Sequence, residues 1–66
     1  MKIKTVVIGN TKLMLVLRGD KSRVAIWNDY DPDDDSMNAD ETFTGNAADC
    51  EEEYNTLVLY AEQEMN

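Results

Sequence analysis

The chain has no histidine, one cysteine (Cys50), one proline (Pro32) and three glycines in 66 residues. Each scarcity removes a class of function. Without histidine there is no Ser–His–Asp or Cys–His set for nucleophilic catalysis, and a Cys/His zinc site is excluded. A lone cysteine cannot form a disulfide within the chain. Cys50 is expected as a small apolar residue of a reducing compartment. No glycine-rich phosphate loop is present. Carboxylates are abundant, but so short a chain offers no deep cleft to raise the pKa of one above another, so an enzyme is not expected. No apolar run approaches the roughly 20 residues that cross a bilayer. The segment VVIGNTKLMLVL is broken by Gly9, Asn10 and Lys12, which argues against a signal peptide. A soluble cytoplasmic protein without cofactor, metal or membrane contact is the expectation.

Cations are missing from more than half of the chain. All six (Lys2, Lys4, Lys12, Arg18, Lys21 and Arg23) lie in residues 1–28 with a single acid, Asp20, a net of +5. The other thirteen acids lie in residues 29–66, a net of −13, and the formal charge of the whole is −8. Such a balance disfavours direct binding to DNA, RNA or anionic lipid and favours basic protein surfaces. It also aids solubility, whatever else it does.

Sixty-six residues make one domain, 1–66, with little surface to bury and a marginal core. Residues 2–8 are rich in β-branched side chains and read as a strand. Gly9-Asn10 then fits a two-residue type II′ hairpin turn, which needs glycine first. Residues 11–18 return as a second strand, Gly19-Asp20 turns again, and residues 21–28 form a third. Two tight turns fix the register. One face then collects Val6, Ile8, Leu13, Leu15, Leu17, Val24 and Ile26, a core. The other collects Ile3, Thr5, Val7, Lys12, Met14, Val16, Arg18, Lys21, Arg23, Ala25 and Trp27, a mixed face that needs cover from the acidic loop or from a second copy.

Residues 29–46 read as a long acidic loop, unusual for so small a domain. Thr42-Phe43-Thr44 offers a short fourth strand, and Phe43 an anchor for the loop. Residues 47–65 read as a helix. Asn46 is its N-cap, with Asp49 at the third helical position as in a capping box. Ala47, Cys50, Tyr54, Leu57, Val58, Ala61 and Met65 form an apolar stripe at helical spacing. Leu59 and Tyr60 fall off it. Glu62 and Glu64 sit at the helix C-terminus, where the dipole disfavours acids. The fold class is therefore α+β: a three-stranded antiparallel meander with one C-terminal helix on one face.

The candidate partner-binding residues are Asp29, Tyr30, Asp31, Asp33, Asp34, Asp35, Asp40 and Glu41 in the loop, and Asp49, Glu52 and Glu53 on the helix. Extended carboxylates at roughly 3.3 Å per residue approach the spacing of phosphates along a nucleic-acid strand. A solvated acidic face is the plainer reading. Asp29-x-Asp31-x-Asp33, with Asp40 at position twelve, has part of an EF-hand pattern. Asp34 replaces the glycine at position six, Pro32 intrudes and a strand precedes it, which excludes a dedicated EF-hand and leaves a weak divalent-cation site as an option. Arg18-Gly19-Asp20, a tripeptide read by adhesion receptors, is accounted for by the hairpin turn. Trp27 with the nearby cations has the composition of a single-strand platform, against which the net charge argues.

In length, in charge and in the runs Asp29–Glu41 and Asp49–Glu53, the chain resembles the small acidic DNA-mimicking proteins of bacteriophages. These include anti-CRISPR proteins and inhibitors of restriction or host transcription. The resemblance implies a stoichiometric inhibitor in the host cytoplasm. Its partner would be a basic nucleic-acid-binding protein or complex, such as a CRISPR complex, held through its lysines and arginines. The alternative from a different class is a small interaction or structural module, monomer or homodimer, whose acids serve solubility. Trp27, Tyr30 and Tyr60 are the expected aromatic anchors at an interface.

Overall fold

The computed structural model describes residues 1–65, excluding the side chain of Met65. Strands β1 (Lys2–Ile8), β2 (Thr11–Leu17), β3 (Ser22–Trp27) and β4 (Glu41–Gly45) precede one helix, α1 (Ala47–Met65). The strands form a single antiparallel sheet in the order β1-β2-β3-β4. The fold is α+β, and the option of a fourth strand is realised. The acidic connection is correspondingly shorter than 29–46. Its last part, Glu41–Gly45, pairs with β3, which leaves residues 28–40 as the loop.

The two tight turns set the register. Gly9 has φ of 60° and Gly19 of 54°, while no other residue type takes a positive φ among the described residues. A positive φ at the first turn residue and not at the second is the type II′ pattern. Ile8 therefore faces Thr11, Val6 faces Leu13 and Lys4 faces Leu15. Across the second turn Leu13 faces Ile26 and Leu15 faces Val24. A slip of one residue would turn every leucine of β2 to the wrong face.

One sheet face and the helix stripe close on each other. Leu13, Leu15 and Val24 from the sheet meet Cys50 and Tyr54 from the helix, and Val6, Leu17, Ile26, Leu57 and Val58 pack around them. The helix lies chiefly over the central strands β2 and β3. Phe43, opposite Val24 on β4, extends this face but stays 40% exposed at the sheet edge. Leu59 and Tyr60 point outward, as their position off the stripe requires.

Ser22 is fully buried among these apolar groups, which no hydrophobic pattern foretells. Its hydroxyl accepts the N–H of Arg18 and donates to the carbonyl of Gly19, each at 2.8 Å. It thus clamps the second hairpin turn, and a buried hydroxyl with both roles filled carries little penalty. At the helix start, Asn46 Oδ1 accepts the N–H of Asp49 at 2.8 Å, and Asn46 Nδ2 donates to Asp49 Oδ2 at 3.2 Å. The N-cap bond of the expected capping box is present, while the Asp49 carboxylate takes the asparagine side-chain amide in place of its backbone N–H.

Candidate functional site

Helix and strands place the acids at two separated ends of the molecule. The helix starts beside the β2–β3 turn, because Asn46 follows Gly45 and Gly45 pairs with Ser22. It ends at the opposite end of the sheet. There Tyr60, Ala61 and Glu64 line a hollow of about 150 Å³ together with Thr11, Asn28 and Glu41. The acidic loop leaves and rejoins the sheet at this same end. Asp40 N–H donates to the carbonyl of Ile26 at 2.8 Å, and Tyr30 N–H to that of Asn10 at 2.7 Å. Asp49 and Glu64, fifteen helical residues apart, stand roughly 22 Å from each other at 1.5 Å per residue.

The predicted residues therefore do not make one patch. The loop acids are rooted near Glu41 and Glu64. Asp49, Glu52 and Glu53 sit at the other end, where Asp49 serves the cap and Glu53 is half-buried. Glu64 was not among the predicted site residues. Its signal was the unfavourable charge at a helix C-terminus whose last turn holds no cation.

Within the loop the acids divide by task. Asp31 Oδ1 accepts the N–H of Asp33 at 2.9 Å. Asp34 Oδ1 accepts both the N–H of Ser36 at 3.0 Å and its hydroxyl at 2.6 Å. Asp40 Oδ2 accepts the N–H of Asn28 at 2.7 Å, closing the neck of the loop. These three carboxylates hold the backbone in place. The hydroxyl and the amide of Ser36 favour the charged form of Asp34 and lower its pKa from the ordinary value, with slight opposition from desolvation. Asp29, Asp33, Asp35 and Glu41 are exposed.

The aromatic residues expected as anchors are mostly engaged internally. Lys12 Nζ lies 4.7 Å from the ring centre of Trp27 and 4.7 Å from that of Tyr30. Trp27 Nε1 also donates to the carbonyl of Met37 at 3.1 Å, and Met37 Sδ lies 3.2 Å from the N–H of Asp31. The loop thus folds back on the mixed sheet face and covers Trp27, the first of the two covers the sequence allowed. Tyr60, 61% exposed on the rim of the hollow, is the aromatic residue left free.

The same arrangement removes cations from the acidic end. Arg18, Lys21 and Arg23 cluster at the opposite turn, Lys2 faces Leu17 near it, Lys4 faces Leu15 in the middle of β1, and Lys12 is held between two rings. Among the described residues no three carboxylates come close enough to hold a metal ion together, so the partial EF-hand spacing is not folded into a cage. No helix is long and apolar enough to cross a membrane. Comparison with known protein families, curated proteins and solved structures finds no match.

Proposed function

We propose that this protein is a stoichiometric inhibitor that places its acidic end on the basic nucleic-acid-binding surface of another protein, such as a CRISPR complex, and excludes DNA or RNA. The observation that carries this reading is that the exposed loop acids, Glu41 and Glu64 belong to one end, where the nearby cation among the described residues, Lys12, is held between the Trp27 and Tyr30 rings. A basic groove built for phosphates holds condensed counterions less tightly than it holds a fixed row of carboxylates. Their release drives binding as it does for DNA itself. The loop is pre-ordered by Asp31, Asp34 and Asp40, so less conformational entropy is lost on docking.

The test is capture of basic nucleic-acid-binding proteins from a bacterial lysate at low and high salt, followed by competition with the captured protein's own nucleic acid. Reversal of the exposed acids Asp33→Lys and Asp35→Lys, which spares the three loop-holding carboxylates, is expected to weaken capture at least about tenfold with the fold intact. Full capture and inhibition by that folded variant would remove the mimic reading. The interaction-module alternative then stands, supported by Ile3 and Val7, which are 55% and 52% exposed on the edge strand β1.

A further inference from the structure

The end of the molecule away from the acids carries its own charge problem. Arg18 and Lys21 flank the second turn as a cross-strand pair, with Lys21 N–H donating to the Arg18 carbonyl at 3.0 Å. Both side chains belong to the sheet face opposite the helix, and Arg23 follows two residues later on that face. Val16, Arg23 and Thr44 form the next row across β2, β3 and β4. Three cations thus occupy two adjacent rows. Like charges directly opposite each other on a sheet are destabilising. A chain with fourteen acids had ample means to relieve them, yet Asp20 is the one carboxylate beside them.

These cations rim a concavity of about 610 Å³, with Val16, Thr44 and one acid, Asp20, in its lining. That volume falls within the range of small-molecule sites, about 300–1,000 Å³. Two guanidinium forks and an ammonium match the geometry of a phosphate group, which arginine grips bidentately. A long polyanion is a poor occupant, because the remainder of the chain would repel it. A single phosphate group satisfies the local charge without extending beyond it.

We propose that this concavity is a binding site for the phosphate group of a small phosphorylated ligand, held by Arg18, Arg23 and Lys21. The site is independent of the acidic end and of the inhibitor reading. It accounts for the clustering of three cations against the single carboxylate of Asp20, and for their position over a hollow rather than on a convex surface.

The experiment is an amide NMR titration of the protein with inorganic phosphate and with a nucleoside monophosphate, at constant ionic strength maintained with chloride. Saturable shifts centred on residues 16–23 and 44–45 are expected. The nucleotide is expected to bind more tightly than phosphate, because the hollow exceeds one phosphate. Binding by Arg18→Gln/Arg23→Gln is expected to fall at least about tenfold, as for loss of charge-assisted hydrogen bonds. Without ligand that variant should melt no lower than the parent, since it removes repulsion, which separates lost binding from lost folding. Shifts that do not saturate, that spread equally to Lys2 and Lys4, or that persist in the variant would overturn the site. So would tighter binding of an acidic peptide than of the nucleotide, which would make this a protein-docking corner. None of these outcomes depends on Asp33 or Asp35.

Discussion

At the scale of single residues, chemistry in this chain follows the immediate neighbours of each group. Asp34 is exposed, yet two hydrogen bonds from Ser36 stabilise its charged form and lower its pKa. A lowered folded-state pKa means that the contribution is present above the ordinary carboxylate value and disappears as pH falls through the folded value. NMR titration of the carboxyl carbon should therefore place Asp34 below the ordinary aspartate value of about 3.9. Ser36→Ala should raise it part of the way back, since the hydroxyl bond is lost and the backbone N–H bond remains.

Cys50 and Tyr54 behave oppositely. Burial, reinforced for Cys50 by the charge of Asp49 and partly offset by a backbone bond from Gly45, raises the thiol; burial alone raises the phenol. Both groups are well covered, but shallowly, in a molecule only 17 Å thick. The unfolded chain releases these protons first, so stability should decline as pH rises past the ordinary thiol and phenol values of about 8.5 and 10. Denaturant melts across the alkaline range check this. The native thiol should resist a thiol reagent that labels the unfolded chain at once.

At the scale of elements, the two ends of the helix differ in what they do for stability. Its N-terminus is built for stability. Asn46 Oδ1 accepts the first-turn N–H of Asp49 and its amide holds the Asp49 carboxylate, and Asn46→Ala should cost about 1 kcal/mol in a denaturant melt. Its C-terminus runs the other way, with Glu62 and Glu64 in the last turns and no cation there. Changing Glu64→Lys should stabilise the fold by a few tenths of a kcal/mol, through the dipole and through closer approach to Glu41. On the inhibitor reading the same change should weaken partner binding. A gain in melting temperature together with a loss of capture is the expected pair of results; unchanged capture would separate Glu64 from the site. The loop is an element in the same sense. Asp31, Asp34 and Asp40 replace the missing ladder bonds of a segment too long for a tight turn, and Trp27 and Tyr30 fasten it around Lys12.

At the scale of the whole molecule, the net charge of −8 conceals two unlike ends. One gathers the loop, Glu41 and Glu64; the other gathers Arg18, Lys21 and Arg23, with the helix acids Asp49 and Glu52 behind them across the sheet. Such a molecule is oriented by the field of a basic partner before contact. Its association rate with a captured partner should fall steeply between about 50 and 200 mM salt, where screening shortens. The dissociation rate should change less. Surface-binding kinetics over that range check both, and a flat association rate would argue against electrostatic docking.

Much of this architecture was legible in the residues. Gly9 and Gly19 announced the turns, the leucine alternation of β2 set the register, and Asn46 with Asp49 marked the helix start. Each signal is local: a positive φ, a period of two, a cap three residues from its donor. The extent of β4 was less legible, because Thr42-Phe43-Thr44 is too short and too polar to declare itself and becomes a strand by pairing with β3. Ser22 was silent for the same reason, since its burial depends on a turn that needs its hydroxyl. The candidate site was read in composition but not in geometry. Acids close in sequence, at Asp40–Glu41 and Asp49–Glu53, are carried apart because β4 runs from one end of β3 to the other between them.

The sequence by itself determined the first three strands and the helix, the register of the meander, the core face and the division of +5 from −13. All of these depend on neighbours a few residues away. Only the tertiary structure decided which charges share a surface. The pairing of β4 with β3 takes Asp49 away from Glu41, and packing of the apolar stripe on β2 and β3 fixes the direction of the helix, which brings Glu64 back to the same hollow as Glu41. The loop's return over Trp27 in turn uses up Lys12 and leaves three cations alone at the far turn. Charges act through distance in space, and in this chain that distance is set by where the apolar groups must go.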